Sequence, residues 1–160
     1  MKIDNNIEKI IIFYEEYKNK FKILNNYIKW FYKKLIINFK HKWPKYTKKW
    51  DIWLCYLWIN IDWEQDWDLE NFIRPVFVLK NWWEKIKHIT ILPLSTNPNK
   101  NEKFSYKLEK NKYTFLDKDS YILLDKIKIV SKKRLIWKKL WKIKIEDYNS
   151  IMEKTIKLLK

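Results

Sequence analysis

Two hydrophobic periods divide the chain. Over residues 1–40 the apolar positions Ile7, Ile10, Tyr14, Tyr17, Phe21, Leu24, Ile28, Phe31 and Leu35 recur at alternating spacings of three and four. That repeat sets them on one face of a helix for about four heptads. Asp4 suits the N-cap, and the pair Asn25-Asn26 is where the segment could break into a helical hairpin. The expectation is that this stripe packs on the main domain rather than forming a free coiled coil. Pro44 and the basic run that follows it close the segment. The expected division is therefore a helical extension over 1–44 and a β-rich domain over 45–160.

From Trp50 the period changes to two. Ile52, Leu54 and Tyr56 alternate with Trp53, Cys55 and Leu57, as in a strand. Residues 58–73 are polar and irregular and predict a long loop. Val76 to Leu79 forms a compact β run after Pro75, and Lys87–Leu94 predicts another strand, followed by a loop over 95–101. Short strands or a hairpin are expected over 104–108 and 112–116, and a strand over 121–130. Residues 146–159 read as a terminal helix, with Ile145, Tyr148, Ile151, Met152, Ile156 and Leu159 on one side. Glu146 and Asp147 stand in its first turn, where they complement the helix dipole. Short strands separated by turns, then a helix, describe an α+β fold built on a small antiparallel barrel.

Charge changes the picture from fold to partner. The 160 residues carry 35 Lys+Arg against 19 Asp+Glu, a formal charge of +16. A field of that sign attracts phosphate polyanions and makes their binding salt-dependent. A cationic protein at a membrane surface is the competing reading. No apolar run approaches the 18 residues of a membrane span, and acidic residues interrupt the N-terminus against a signal-peptide reading. A cytoplasmic protein is expected. The lone Cys55 excludes an intramolecular disulfide and a multi-cysteine zinc site. It lies in an apolar strand pattern, which predicts a buried, inert thiol. His41 and His88 form no catalytic pair, and Asp66, Asp68 and Glu70 read as a solvated loop, so neither metal nor cofactor is expected.

The stretch 49–78, KWDIWLCYLWINIDWEQDWDLENFIRPVFV, resembles the MazF/PemK family, the endoribonuclease toxins of bacterial toxin–antitoxin pairs. The family's wording is Gly-Asp-Ile-Trp, then Leu-Gly-x-Asn, then Glu-Gln-x-Gly, then Arg-Pro-Val. Here the matching positions are Asp51-Ile52-Trp53, Leu57 and Asn60, Glu64-Gln65, and Arg74-Pro75-Val76. ILPLSTN at 91–97 is similar to the family's middle strand with its Thr-bearing loop. DSYILLDKIKIVSKKRL at 119–135 is similar to a later segment, and LWKIK at 140–144 to the stretch after it. The similarity covers roughly residues 45–160, with a longer loop before Arg74 and the helical leader as departures.

The family's glycines are absent. Trp50, Trp58, Trp67 and Trp141 stand in their places, in a chain with 11 Trp and no Gly. Average usage of about 7% predicts roughly 11 glycines in this length. A/T-rich coding explains the many Lys, Ile and Asn, yet it does not enrich Trp. Both facts follow if several of the Trp codons are UGA and the source cell reads them as Gly, with those four positions as the best candidates. The alternative is a genuinely Trp-rich protein, and Trp53 reads as a true Trp.

The resemblance implies an SH3-like barrel and a metal-independent cleavage of single-stranded RNA. In that chemistry the 2′-hydroxyl attacks the adjacent phosphorus, which needs a base, a cation for the phosphorane charge and a donor for the leaving oxygen. It assigns charge stabilisation to Arg74, with the proton-donor role open to it as well, the base to Glu64, and a phosphate-contacting hydroxyl to Ser95 or its neighbour Thr96. Gln65, Lys126, Lys128 and Arg134 are the implied RNA contacts. The family's Gln-Ile-Arg is Lys126-Ile127-Lys128 here, and lysine lacks the bidentate fork of arginine. A homodimer and a cognate antitoxin are the implied protein partners. The alternatives are a non-catalytic RNA- or protein-binding module on the same barrel, and a related toxin that poisons DNA gyrase.

Overall fold

A computed structural model of the chain describes residues 4–42, 46–57, 73–81, 86–97 and 102–160. The N-terminal segment is one helix, α1 (Asp4–Lys40, 37 residues). No Pro or Gly interrupts it, and the helix runs through Asn25-Asn26 without the break that this pair suggested. Asn26, Trp30 and Ile37 are buried, and Ile10, Tyr14, Phe21 and Phe31 are among its exposed hydrophobics.

Lys40–Leu57 and Ile73–Lys160 form a second compact unit. Its strands are β1 (Asp51–Tyr56), β2 (Ile73–Asn81), β3 (His88–Ser95), β4 (Ser105–Leu108), β5 (Ser120–Leu123), β6 (Lys128–Ser131) and β7 (Leu135–Lys142). Helix α2 (Ile145–Leu158) ends the chain. The strand order is β4-β5-β3-β2-β1-β7, with β6 also paired to β3, and every pairing is antiparallel. This is an α+β fold, a small SH3-like barrel with a C-terminal helix.

Strand β3 is the hinge of the arrangement. Its first half pairs with β6 and its last residues with β5, through Leu94↔Ile122 and Ser95↔Tyr121. The single strand expected over 121–130 is therefore two, separated by a turn at Leu124–Asp125. The segment 112–116 is not a strand either. Tyr113 N–H reaches the Glu109 and Lys110 carbonyls, and Leu116 N–H the Tyr113 carbonyl, which makes consecutive turns.

Alternation along the strands sorts their side chains onto two faces. Ile52, Phe77, Leu92, Leu94, Ile122 and Leu124 join Ile143 and Ile151 of the α2 region in one cluster. Trp53, Cys55, Val76, Val78, Ile89, Ile91, Val130 and Leu135 form the other. Burying a Val, Leu, Ile or Phe side chain contributes about 1.5–3 kcal/mol, so these two clusters hold the barrel together.

Just before β1, Trp50 has φ 76°, the one positive φ among the described residues. Its N–H donates to the Val78 carbonyl (3.1 Å) and its carbonyl accepts from Ile143 N–H (3.0 Å). Both bonds fix the backbone there in the left-handed region. Trp141, in β7 opposite Ile52, stacks on Phe115 and shows no such demand. Positions 58 and 67 lie outside the described residues. Among the described residues, no helix is long and apolar enough to cross a membrane.

Candidate functional site

Two prolines place the site. The β2–β3 register ends at Val76↔Pro93, and Pro75 precedes it on β2. Neither proline has an N–H to donate, so the ladder stops there. Arg74 lies two residues beyond the Val76↔Pro93 pair on β2 and Ser95 two beyond it on β3, where β3 turns to β5 and Ser95 pairs with Tyr121. On the other side of β2, Arg74 pairs with Cys55 of β1, and Cys55 in turn faces Leu135 of β7. Arg74, Cys55 and Leu135 thus make one row across three strands. The row continues the face formed by Val76, Val78 and Ile91.

Arg74 is half-buried, with its Nη2 shielded from solvent. Ser95 is also half-buried, at the last position of β3. Its Oγ accepts from Asn97 N–H at 3.1 Å. That bond uses a lone pair and orients the hydroxyl, whose proton can then be donated outward. Thr96, the neighbouring hydroxyl, is exposed in the bend after β3.

Arg134 joins the row from the short 3-10 turn Lys132–Arg134, just before Leu135. Burial pushes the Cys55 thiol up to about 12, and the charge of Arg134 opposes that rise. The thiol is fully buried and protonated, hence inert as expected. Ser131 caps the turn by accepting from Lys133 N–H. His41, which no motif marks, braces the same turn. Its Nδ1 lies 3.3 Å from the Lys133 carbonyl and its ring 5.7 Å from that of Tyr56. The contact joins residues 92 apart in sequence, so no local pattern announces it.

The remaining candidates are less concentrated. Lys128 opens β6 opposite Ile91, on the same face as the row but four residues along β3 from Ser95, about 13 Å. Lys126 lies in the preceding turn, 3.6 Å from Asp125. Glu64 and Gln65 lie outside the described residues. Among the described residues, no group of three His, Cys, Asp or Glu side chains could hold a metal ion.

A second polar cluster lies at the other face. Asp147, in the first turn of α2, accepts from Tyr106 Oη (2.7 Å), Lys112 Nζ (2.8 Å) and Tyr113 Oη. Tyr113 Oη also accepts from Lys144 N–H at 3.1 Å. Burial opposes ionisation of Asp147, but the bonds from Lys112, Tyr113 and Tyr106 outweigh it and hold the carboxyl below its usual range. The Tyr106 phenol is pushed up to about 12 by burial and by that carboxylate.

The family described as PemK-like, MazF-like toxin of type II toxin-antitoxin system matches residues 48–159. Two solved structures are similar in fold. One is a Mycobacterium tuberculosis toxin, MazF-mt6, at TM-score 0.53 and 13% identity, covering 68% of this chain and 95% of that one. The other is an endoribonuclease in complex with its cognate antitoxin from a mycobacterial species, at TM-score 0.53 and 15% identity, covering 71% and 95%. No curated protein matches the chain in sequence.

Proposed function

Because the chain belongs to the PemK-like, MazF-like toxins of type II toxin–antitoxin systems, we propose that it is a metal-independent endoribonuclease acting on single-stranded RNA. The observation that carries this reading is that Arg74 and Ser95 each lie two residues beyond Val76↔Pro93, the last pair of the β2–β3 ladder. A guanidinium and an oriented hydroxyl on one face fit a phosphodiester. Arg74 binds the phosphoryl oxygens and stabilises the added negative charge as the 2′-hydroxyl attacks. Ser95, with Thr96 beside it, donates to the scissile phosphate. Glu64 is the proposed base for the 2′-hydroxyl. The bond to the 5′ oxygen breaks and that oxygen takes up a proton, from Arg74 or from water, so the products are a 2′,3′-cyclic phosphate and a 5′-hydroxyl.

Arg134, Lys126, Lys128 and Gln65 are the proposed contacts to the rest of the RNA. Unpaired bases can be splayed and read in a groove, which favours single strands over duplex. The +16 charge suits both the RNA and an acidic antitoxin segment competing for the same face. A homodimer, a cytoplasmic setting and a division at residue 44 complete the proposal.

Arg74→Ala tests it. Loss of cleavage with RNA binding retained supports catalysis at this site. Unchanged cleavage sinks the assignment, and RNA binding without cleavage by the parent protein favours a binding module on the same barrel.

A further inference from the structure

Residue 50 belongs to a tight turn that leads into β1. Asp51 N–H donates to the Lys48 carbonyl at 3.4 Å, which closes a turn over Lys48, Lys49, Trp50 and Asp51. The Asp51 side chain closes it a second time, because its Oδ2 accepts from Lys48 N–H at 3.0 Å. Trp50 is the third residue of this turn and has φ 76°, whereas φ of Lys49 is not positive. A positive φ at the third residue alone is the signature of a type II turn. Glycine fills that position because it has no Cβ to clash. We infer that position 50 is glycine in the protein as its source cell makes it.

The conformation is imposed from outside the turn as well. Trp50 N–H donates to the Val78 carbonyl of β2 (3.1 Å), and its carbonyl accepts from Ile143 N–H, just past β7 (3.0 Å). Strands β2 and β7 are the two neighbours of β1, so residue 50 is pinned on both sides where the strand begins. A change to negative φ would break these bonds and move Asp51, whose buried carboxylate lies 3.6 Å from Lys139 Nζ. It would also disturb the start of the β1 register, which carries Cys55 opposite Arg74. The backbone thus demands the left-handed region whatever the side chain, and tryptophan bears the full Cβ clash there.

The indole does not offset that clash. Its ring lies 4.8 Å from the Tyr148 ring, with the Lys49 and Lys142 ammonium groups 5.3 and 5.0 Å from its centre. Both lysines are exposed, where cation–π contacts are weak. Trp53 makes the contrast. It too buries an Nε1–H without an acceptor, but its backbone is extended in β1 and its ring fills the core. It is the turn, not the indole, that singles out position 50. Trp141 has no positive φ, and positions 58 and 67 lie outside the described residues. The 11 Trp and no Gly of the whole chain agree with a UGA codon read as Gly at position 50 but exceed what one codon explains.

Peptide mass spectrometry of the protein purified from its source cell tests the assignment. Trypsin cuts after Lys49, so residue 50 heads its peptide and fragmentation reads it apart from the other tryptophans. The mass of Gly at position 50 is expected, and the mass of Trp there overturns the inference. The demand of the turn is tested separately, on recombinant full-length protein. Trp50→Gly should have a higher urea midpoint than Trp50→Ala, the reverse of the order at a position with ordinary φ. A midpoint for Trp50→Ala equal to or above that of Trp50→Gly also overturns it. Neither result depends on the ribonuclease reading, since neither experiment contains RNA.

Discussion

Asp147 and Arg74 each hold a charge at the margin of the barrel core, and the protein treats them in opposite ways. Asp147 is 6% exposed, and its carboxylate is occupied by Tyr106, Lys112 and Tyr113. Those bonds close α2 onto the β4 side of the barrel, so the charge is consumed in holding the fold. Arg74 stands where prolines have ended a ladder. Its row contains an inert thiol, with a second arginine one residue from its far end, and the Ser95 hydroxyl ends the neighbouring strand β3. A charge enclosed by protein donors does structural work, whereas cations and a hydroxyl gathered on one face suit an external polyanion. A list of charged residues would not separate the two cases; the sheet register does.

The sharpest test of this contrast is to remove each charge. Arg74→Ala should lower the cleavage rate by about 10²–10³-fold, the scale of one lost donor to a transition-state oxyanion, with Tm little changed. Arg74→Lys should restore only part of the rate, because lysine lacks the fork. Asp147→Asn should do the reverse. It should cost about 2 kcal/mol in urea unfolding, in the range of hydrogen bonds to a charged group, and leave the rate per folded molecule unaltered.

Asp147 also sets an acid dependence. Its carboxyl is held below the ordinary value of 3.8, so the stability it contributes is fully present above that value. It is lost as pH falls through the lowered folded-state value. Urea midpoints measured downward from pH 5 should therefore fall more steeply for the parent protein than for Asp147→Asn. Equal slopes would contradict the structural role.

Ser95→Ala should slow cleavage by about tenfold, one ordinary hydrogen bond of roughly 1–1.5 kcal/mol. Retention of full rate in that variant, with loss in Thr96→Ala, would move the hydroxyl by one residue. The smallest effect belongs to Lys128→Ala. It should reduce the salt slope of RNA binding by about one unit, with little change in the rate at saturating RNA.

The sequence displayed the barrel's strands best where one face is buried. β1, β2 and β3 are legible because alternation and Pro75 mark them. β7, LIWKKLWK, escaped because its apolar residues follow no clean period of two. Residues 121–130 looked continuous because apolar members lie on both sides of the turn at Leu124–Asp125. Helix α1 was legible from its three-and-four repeat, but its unbroken run through Asn25-Asn26 was not. At the site, the resemblance supplied Arg74 and Ser95 separately. Their placing just beyond the Val76↔Pro93 pair is a property of the β2–β3 register, and the bracing of Arg134's turn by His41 spans 92 residues. Neither could be read from spacing along the chain.

The most direct measurement is incubation of a long single-stranded RNA in EDTA with purified protein carrying either Trp or Gly at positions 50, 58, 67 and 141. The account predicts discrete fragments with 5′-hydroxyl and 2′,3′-cyclic phosphate ends from the Gly form, abolished by Arg74→Ala. Intact RNA with both forms, or cleavage that survives Arg74→Ala, would contradict it.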